Sequence, residues 1–212
     1  MLDTHARKYF DRLFQVIAHR FLRWHLRPVH ITAAALILGL GSGVLLYFDL
    51  SGVAVGVLWV SGLLDAVDGE MARRSGTSSL FGAQMDIICD RLVELSLVWA
   101  LALQHLDCLL PLLGLVSAIL VSMTVFLTTG MLVKTKGKKS FYYQAGLMER
   151  TEGFIAFSVM ILAQHNLAIW TWIYTALILI TVIQRLLESF RILRYPEYSG
   201  EEKDFSGKER GL

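Results

Sequence analysis

Long uncharged runs alternate with short polar turns along most of this chain. Residues 31–48 contain no charged side chain, and an apolar run of that length predicts a membrane-crossing helix. Residues 49–52 form a short turn, after which a second apolar stretch begins at Val53. A third runs over 80–104, residues 105–108 turn the chain, and 109–133 are again uncharged. A basic loop over 134–146 precedes two further stretches, 147–164 and 167–190. The expected fold is therefore all-α: a polytopic membrane protein of six transmembrane helices. Residues 1–27 stand apart as a juxtamembrane segment, 28–192 as the helical domain and 193–212 as a polar, disordered tail.

Ahead of the first span, Phe10, Leu13, Phe14, Ile17, Phe21 and Trp24 recur at helical spacing. Arg7, Lys8, Arg12, Arg20 and Arg23 supply the opposite face. This pattern predicts an N-terminal amphipathic helix in the membrane interface. The same pattern also suits a helix packed on the protein's own cytosolic side. Charges interrupt its apolar run and no small-residue cleavage site follows, so it is not read as a signal peptide.

Composition agrees with this class. Of 212 residues, 55% are hydrophobic, which is high for a soluble domain. Nothing in the chain directs it to nucleic acid. The two cysteines, Cys89 and Cys108, lie in apolar surroundings and read as core residues. The outer turns at 49–52, 104–108 and 164–167 contain no Lys or Arg, and all 20 basic residues fall on the other side or at span ends near it. By the positive-inside rule that side is cytosolic. Both termini and the acidic positions discussed next are expected there, in the inner or plasma membrane of a prokaryote.

Four aspartates fall close together within this apolar sequence: Asp65, Asp68, Asp86 and Asp90. As helices, 65 and 68 share one face, and so do 86 and 90. Gly and Ser cluster between the two pairs and predict a turn, so the acidic faces run antiparallel and converge. From Val53 to Asp65 is roughly 18 Å of helix, and from Asp90 to Gln104 roughly 21 Å. Both pairs then lie about 10 Å below the cytosolic face of a ~30 Å hydrocarbon layer. Carboxylates so placed need counter-charge. Hard oxygen donors suit Mg²⁺, Mn²⁺ or Ca²⁺, and two ions held by these aspartates would neutralise a pyrophosphate. Gly69 and Gly82 leave room for a ligand at the backbone, and Arg73 is placed to pair with phosphate. Glu70 reads as a solvated neighbour, and Glu94 as a partner of Arg91.

The run Asp65-x2-Asp68-Gly69-x2-Ala72-Arg73-x8-Gly82-x3-Asp86-x3-Asp90 resembles the signature of the CDP-alcohol phosphotransferases, with every fixed position filled. The resemblance implies a six-helix membrane bundle, a homodimer, and transfer of a substituted phosphoryl group from a CDP-linked donor to an alcohol with release of CMP. It further implies Asp65, Asp68 and Asp86 as ligands of Mg²⁺ or Mn²⁺, two ions in all. Asp90 becomes the general base, also touching the second ion. Gly69, Ala72, Arg73 and Gly82 line the cytidine and pyrophosphate pocket. Thr32, after Pro28, resembles the family's Pro-x3-Thr and approaches the nucleotide.

Three cations bear on the acceptor. Arg150 reaches the depth of the aspartates, Arg185 interrupts the sixth span, and Lys134 closes the fourth. Arg150 is either paired with Glu149 or Glu152, or free to hold an anionic alcohol such as a phosphorylated polyol. Lys134, the run Gly146-Leu-Met-Glu149-Arg150-Thr-Glu152-Gly153 and the pair Gln184-Arg185 resemble the phosphatidylinositol-phosphate synthase branch, except that Gly153 stands where that branch has a second Arg. The expected reaction is transfer of a phosphatidyl group from CDP-diacylglycerol or a related CDP-linked lipid to a small polar alcohol. The alternative is a soluble CDP-alcohol donor with a lipid or polyol acceptor. A metal-ion transporter would need acidic residues through to the outer face, and the outer halves of the spans have none.

Overall fold

The computed structural model describes residues 14–133, 144 and 146–194. Among these the chain is helical, without strands. Residues 14–23 form α1. Then come α2 (Pro28–Tyr47), α3 (Ser51–Ser75), α4 (Leu80–Gln104), α5 (Leu109–Leu132), α6 (Arg150–Leu162) and α7 (Leu167–Arg194), with single 3₁₀ turns at Leu106–Cys108 and Gln164–Asn166.

Local chemistry sets the boundaries. Pro28 opens α2, where its missing N–H costs nothing. Gly76, at φ 66°, closes α3 in the left-handed conformation that favours glycine. The Ser79 hydroxyl caps α4 by accepting from the Gly82 N–H at 3.0 Å. These two signals turn the chain between the acidic faces, as the Gly and Ser cluster predicts.

Packing follows from small residues. A Cβ on Gly39 would lie 2.3 Å from Val93 Cγ2, and one on Gly43 2.8 Å from the Ser96 carbonyl oxygen. These two glycines thus seat α2 directly on α4. α2 also packs along α3, α5 packs along α7, and α6 touches both α3 and α7. Leu46, Leu58, Leu97, Leu101, Leu112, Leu115, Phe157 and Met160 fill the centre of this bundle. At the end of the bundle that carries the α2–α3 turn, the Gln104 amide donates to the Leu46 carbonyl and the Asp49 carboxylate, each at 2.8 Å. Gln164 meets His105 at 2.8 Å and donates to Ser51 at 2.9 Å. The turns at this end are thus tied by Gln104, His105, Gln164 and Ser51 together with the Asp49 carboxylate, and no Lys or Arg takes part in these bonds.

Among the described residues, four helical stretches are long and apolar enough to cross a membrane: Pro28–Tyr47, Ser51–Ser75, Leu106–Leu132 and Gln164–Arg194. The expectation of six meets two difficulties. α4 has the length but carries Asp86, Asp90, Arg91 and Glu94. α6 has 13 residues and starts at Arg150, not at 147, which gives only ~20 Å of helix. The N-terminal segment also differs in emphasis. Ala18 is buried against Ile31, Val67 and Met71, with Phe14, Ile17, Phe21 and Leu22 around it. Its apolar face therefore rests on α2 and α3, while Val16 and Trp24 are exposed. Residues 1–13, the basic loop at 134–143 and the tail at 195–212 lie outside the described residues.

Candidate functional site

The α3–α4 hairpin brings the acidic faces together as their spacing requires. Asp65 and Asp68 are buried, at 6% and 8% exposure, whereas the Asp86 side chain is half exposed. Arg150, the first residue of α6, enters this group from the side. Its Nη1 donates to Asp65 Oδ2, its Nη2 lies 2.8 Å from Asp90 Oδ1, and Nη1 stands 4.0 Å from Asp86. One guanidinium thus bridges carboxylates from both helices and sits over the Phe154 ring, 5.9 Å from its centroid. The carboxylates in these bonds come from α3 and α4 and not from Glu149 or Glu152.

Among the described residues, no three acidic, histidine or cysteine side chains close round a point as a ready-made metal cage; Arg150 stands among them. The donor set nevertheless fits Mg²⁺ or Mn²⁺. It consists of carboxylate oxygens alone, and Asp68 Oδ2 is buried without a hydrogen-bond partner. A buried carboxylate oxygen left unpaired is costly, and a divalent cation would remove that cost. Thr32 faces the Asp68 carboxylate and lies 3.1 Å from the Pro28 carbonyl, to which it donates. This places Thr32 beside the acidic group.

The nominated glycines face open space. A Cβ at Gly69 would meet only Arg73 Nη1, at 3.5 Å, and one at Gly82 only Ser79 Oγ, at 3.2 Å. No helix packs against either, unlike Gly39 and Gly43, so their small size serves the cleft and not the bundle. Arg73 is half exposed and donates to Glu70 at 2.9 Å, while Arg74 holds the other Glu70 oxygen at 2.8 Å. Glu70 is thus the partner of two arginines at the helix end. Arg91 pairs with Glu94, as expected from their spacing.

A cleft of about 1450 Å³ is lined by Thr32, all four aspartates, Gly69, Ala72, Arg73, Gly82, Arg150 and Arg185. Every described residue nominated from the sequence borders it. Lys134 lies outside the described residues. Arg185 is buried, donates to Ser122 Oγ at 3.1 Å and stacks over Phe126 at 4.9 Å. Sequence reading missed Phe154, Cys89, Ser122 and Tyr174, which also line the cleft. Phe154 was within reach, one turn beyond Arg150 on the same face. The others carry no local signal, since only the assembly of α4, α5 and α7 brings them to the same cavity.

Fold and site define a helical integral membrane protein with an oxygen-donor site set among its helices. The chain belongs to the CDP-alcohol phosphatidyltransferase family, whose model matches residues 25–187, and it is a transferase of that family. An uncharacterized protein of Aquifex aeolicus is 30% identical over 91% of this chain and 97% of its own. A phosphatidylinositol phosphate synthase of Corynebacterium glutamicum is 28% identical over 88% of each chain. Among solved structures, the phosphatidylinositol phosphate synthase of Mycobacterium tuberculosis with CDP-DAG bound superposes with a TM-score of 0.68 at 23% identity, over 84% of this chain and 94% of that one. A second structure of that synthase holds manganese and citrate. At that identity the likeness is one of fold.

Proposed function

We propose that this protein transfers the phosphatidyl group of CDP-diacylglycerol to the hydroxyl of a small polar alcohol, releasing CMP, as a step of phospholipid biosynthesis. The observation that carries the reading is the convergence of four aspartates from α3 and α4 on one cleft. The relatives' names, and the CDP-DAG and manganese in the mycobacterial structures, support the donor and the ion by analogy.

Asp65, Asp68 and Asp86 would hold Mg²⁺ or Mn²⁺, two ions with Asp90 at the second, and the ions when bound would neutralise the pyrophosphate and its leaving group. The chain's residues do the rest. Gly69, Ala72, Arg73, Gly82 and Thr32 take the nucleotide end, with Arg73 released from Glu70 to meet phosphate. Asp90 accepts the proton of the acceptor hydroxyl. That oxygen bonds to the distal phosphorus, the bond from this phosphorus to the bridging oxygen breaks, and CMP leaves with the electron pair. Lys134, Arg150 and Arg185 hold an anionic, phosphorylated acceptor. Apolar wall residues such as Trp59 and Leu36 accept the lipid end.

The proposed enzyme has six passes. α4 crosses with its charged face turned to the cleft, and α6 needs only to reach the depth of the aspartates. Both termini and the cleft mouth face the cytosol, α1 lies at the interface with its basic side outward, and two copies form a dimer. Purified protein in detergent, given CDP-diacylglycerol, Mn²⁺ and separately inositol, inositol phosphate, glycerol phosphate and serine, tests the reaction. CMP together with the matching phosphatidyl lipid, from one alcohol, supports it. CMP only from a soluble CDP-alcohol with a lipid acceptor would move the reading to that donor class. No CMP from either donor would sink it.

A further inference from the structure

The cleft is also lined by residues that the transfer reaction leaves unused: Arg91 and Glu94 on α4, Gly153 on α6 and Tyr174 on α7. Glu94 lies one turn beyond Asp90 on the same helix face, about 6 Å along the axis at ~1.5 Å per residue. Arg91 pairs with Glu94, yet its Nε–H is buried with no hydrogen-bond partner. Tyr174 lines the same cleft as Glu94 and is buried, with its ring edge-on to Phe157 at 5.5 Å. A Cβ on Gly153 would come 3.1 Å from the Tyr174 hydroxyl. At this position the backbone is bare, and the phenol occupies the room a side chain would take.

An ion pair with an unmet donor on the wall of a cavity is incomplete by the usual accounting of buried polar groups. A ligand hydroxyl that accepts from Arg91 and donates to Glu94 completes it. Resting on the phosphatidyl-transfer reading, we propose that Arg91, Glu94 and Tyr174 are specificity-determining residues that hold a second, non-reacting hydroxyl of the acceptor. The reacting hydroxyl then sits at Asp90 while its neighbour is anchored one turn beyond it. The favoured acceptor carries several hydroxyls, and an acceptor with a single hydroxyl leaves Arg91 and Glu94 unsatisfied. Sites built to hydrogen-bond a hydroxyl discriminate strongly against ligands lacking it.

The test compares Glu94→Gln and Tyr174→Phe with wild type, using CDP-diacylglycerol, Mn²⁺, and inositol phosphate or serine as acceptor. Phenylalanine keeps the ring against Phe157, and glutamine keeps the shape of Glu94, so both variants are expected to fold; gel filtration checks this. In wild type, inositol phosphate is expected to outperform serine. In each variant the KM for inositol phosphate is expected to rise about tenfold, the loss of roughly one neutral hydrogen bond. The KM for CDP-diacylglycerol is expected to hold. An unchanged acceptor KM in both folded variants, equal rises for donor and acceptor, or a wild-type preference for serine would each overturn the assignment. If wild type releases no CMP with any acceptor, it is the transfer reading itself that falls, and this assignment with it.

Discussion

Arg150 is the residue on which the site's electrostatics turn. It stands among carboxylates that a divalent ion would also neutralise, so guanidinium and ion serve one need. Replacing it with alanine leaves Asp65 and Asp90 without their partner. Removing one member of a fully buried pair costs about 3–5 kcal/mol. Arg150 is 32% exposed, so a loss of about 1–3 kcal/mol is expected after allowance for solvent. Thermal unfolding of Arg150→Ala in EDTA should therefore begin several degrees below wild type. Saturating Mn²⁺ should recover most of that gap, because bound ions stabilise the state that binds them. An identical deficit with and without Mn²⁺ would show that Arg150 holds the bundle and not the acidic group. Asp68 gives a second residue-scale expectation. Its unpartnered Oδ2 makes it a ligand more than a structural anchor, so Asp68→Asn should raise the Mn²⁺ needed for half-maximal activity by about tenfold or more, with little change in the melting curve measured in EDTA.

At the scale of elements, the α2–α4 contact positions α4 and hence Asp86 and Asp90. Gly39→Ala forces a methyl to within 2.3 Å of Val93, whereas a methyl on Gly41 would meet nothing within 4 Å. Overpacking of this kind typically costs about 1–3 kcal/mol. Gly39→Ala should lower the detergent melting temperature and the activity together, and Gly41→Ala should leave both near wild type. Equal behaviour of the two variants would mean that the helices do not meet at this face. The hairpin between α3 and α4 is held by simpler devices, the left-handed Gly76 and the Ser79 cap, and both were legible because turn chemistry is local. The length of α6 was not legible. The sequence from 147 onward carries charges at Glu149, Arg150 and Glu152, but nothing in it marks that residues 146–149 lie outside the helix. There the Leu147 N–H donates to Gln184 and the Met148 N–H to Thr181, each at 3.0 Å. Those side chains on a distant helix take the N–H groups of residues that precede α6, so the helix starts late, at Arg150, and a pattern read along one segment does not contain them.

At the scale of the molecule, the aspartate spacing and the uncharged runs were enough to bring the four aspartates from two antiparallel helices to one cleft. They were enough because an i, i+3 or i, i+4 pair has only one face to occupy. What escaped was what depends on third and fourth helices: the bond from Arg150 to Asp65 and Asp90, and the place of Tyr174 in the cleft wall. Each is a contact between segments far apart in sequence, with no periodic signature in either. The proposed sidedness of the bundle rests on the distribution of Lys and Arg. A cysteine placed in the outer turn at Gly52 should react with an impermeant maleimide in intact cells, and one placed near Gly76 should react only after lysis. The opposite pattern would reverse the proposed orientation and put the cleft on the outer side.

The central claim is that Asp90 performs chemistry in a cleft that binds a CDP-linked lipid. It is tested most directly by measuring CMP release from CDP-diacylglycerol by wild type and Asp90→Asn side by side, with binding of the same lipid followed in both samples. General-base catalysis contributes about 10²–10⁴-fold, so the variant should lose at least ~100-fold in rate while retaining the lipid. A variant that keeps its rate, or a wild type that binds the lipid and releases no CMP with any alcohol, would contradict the assignment.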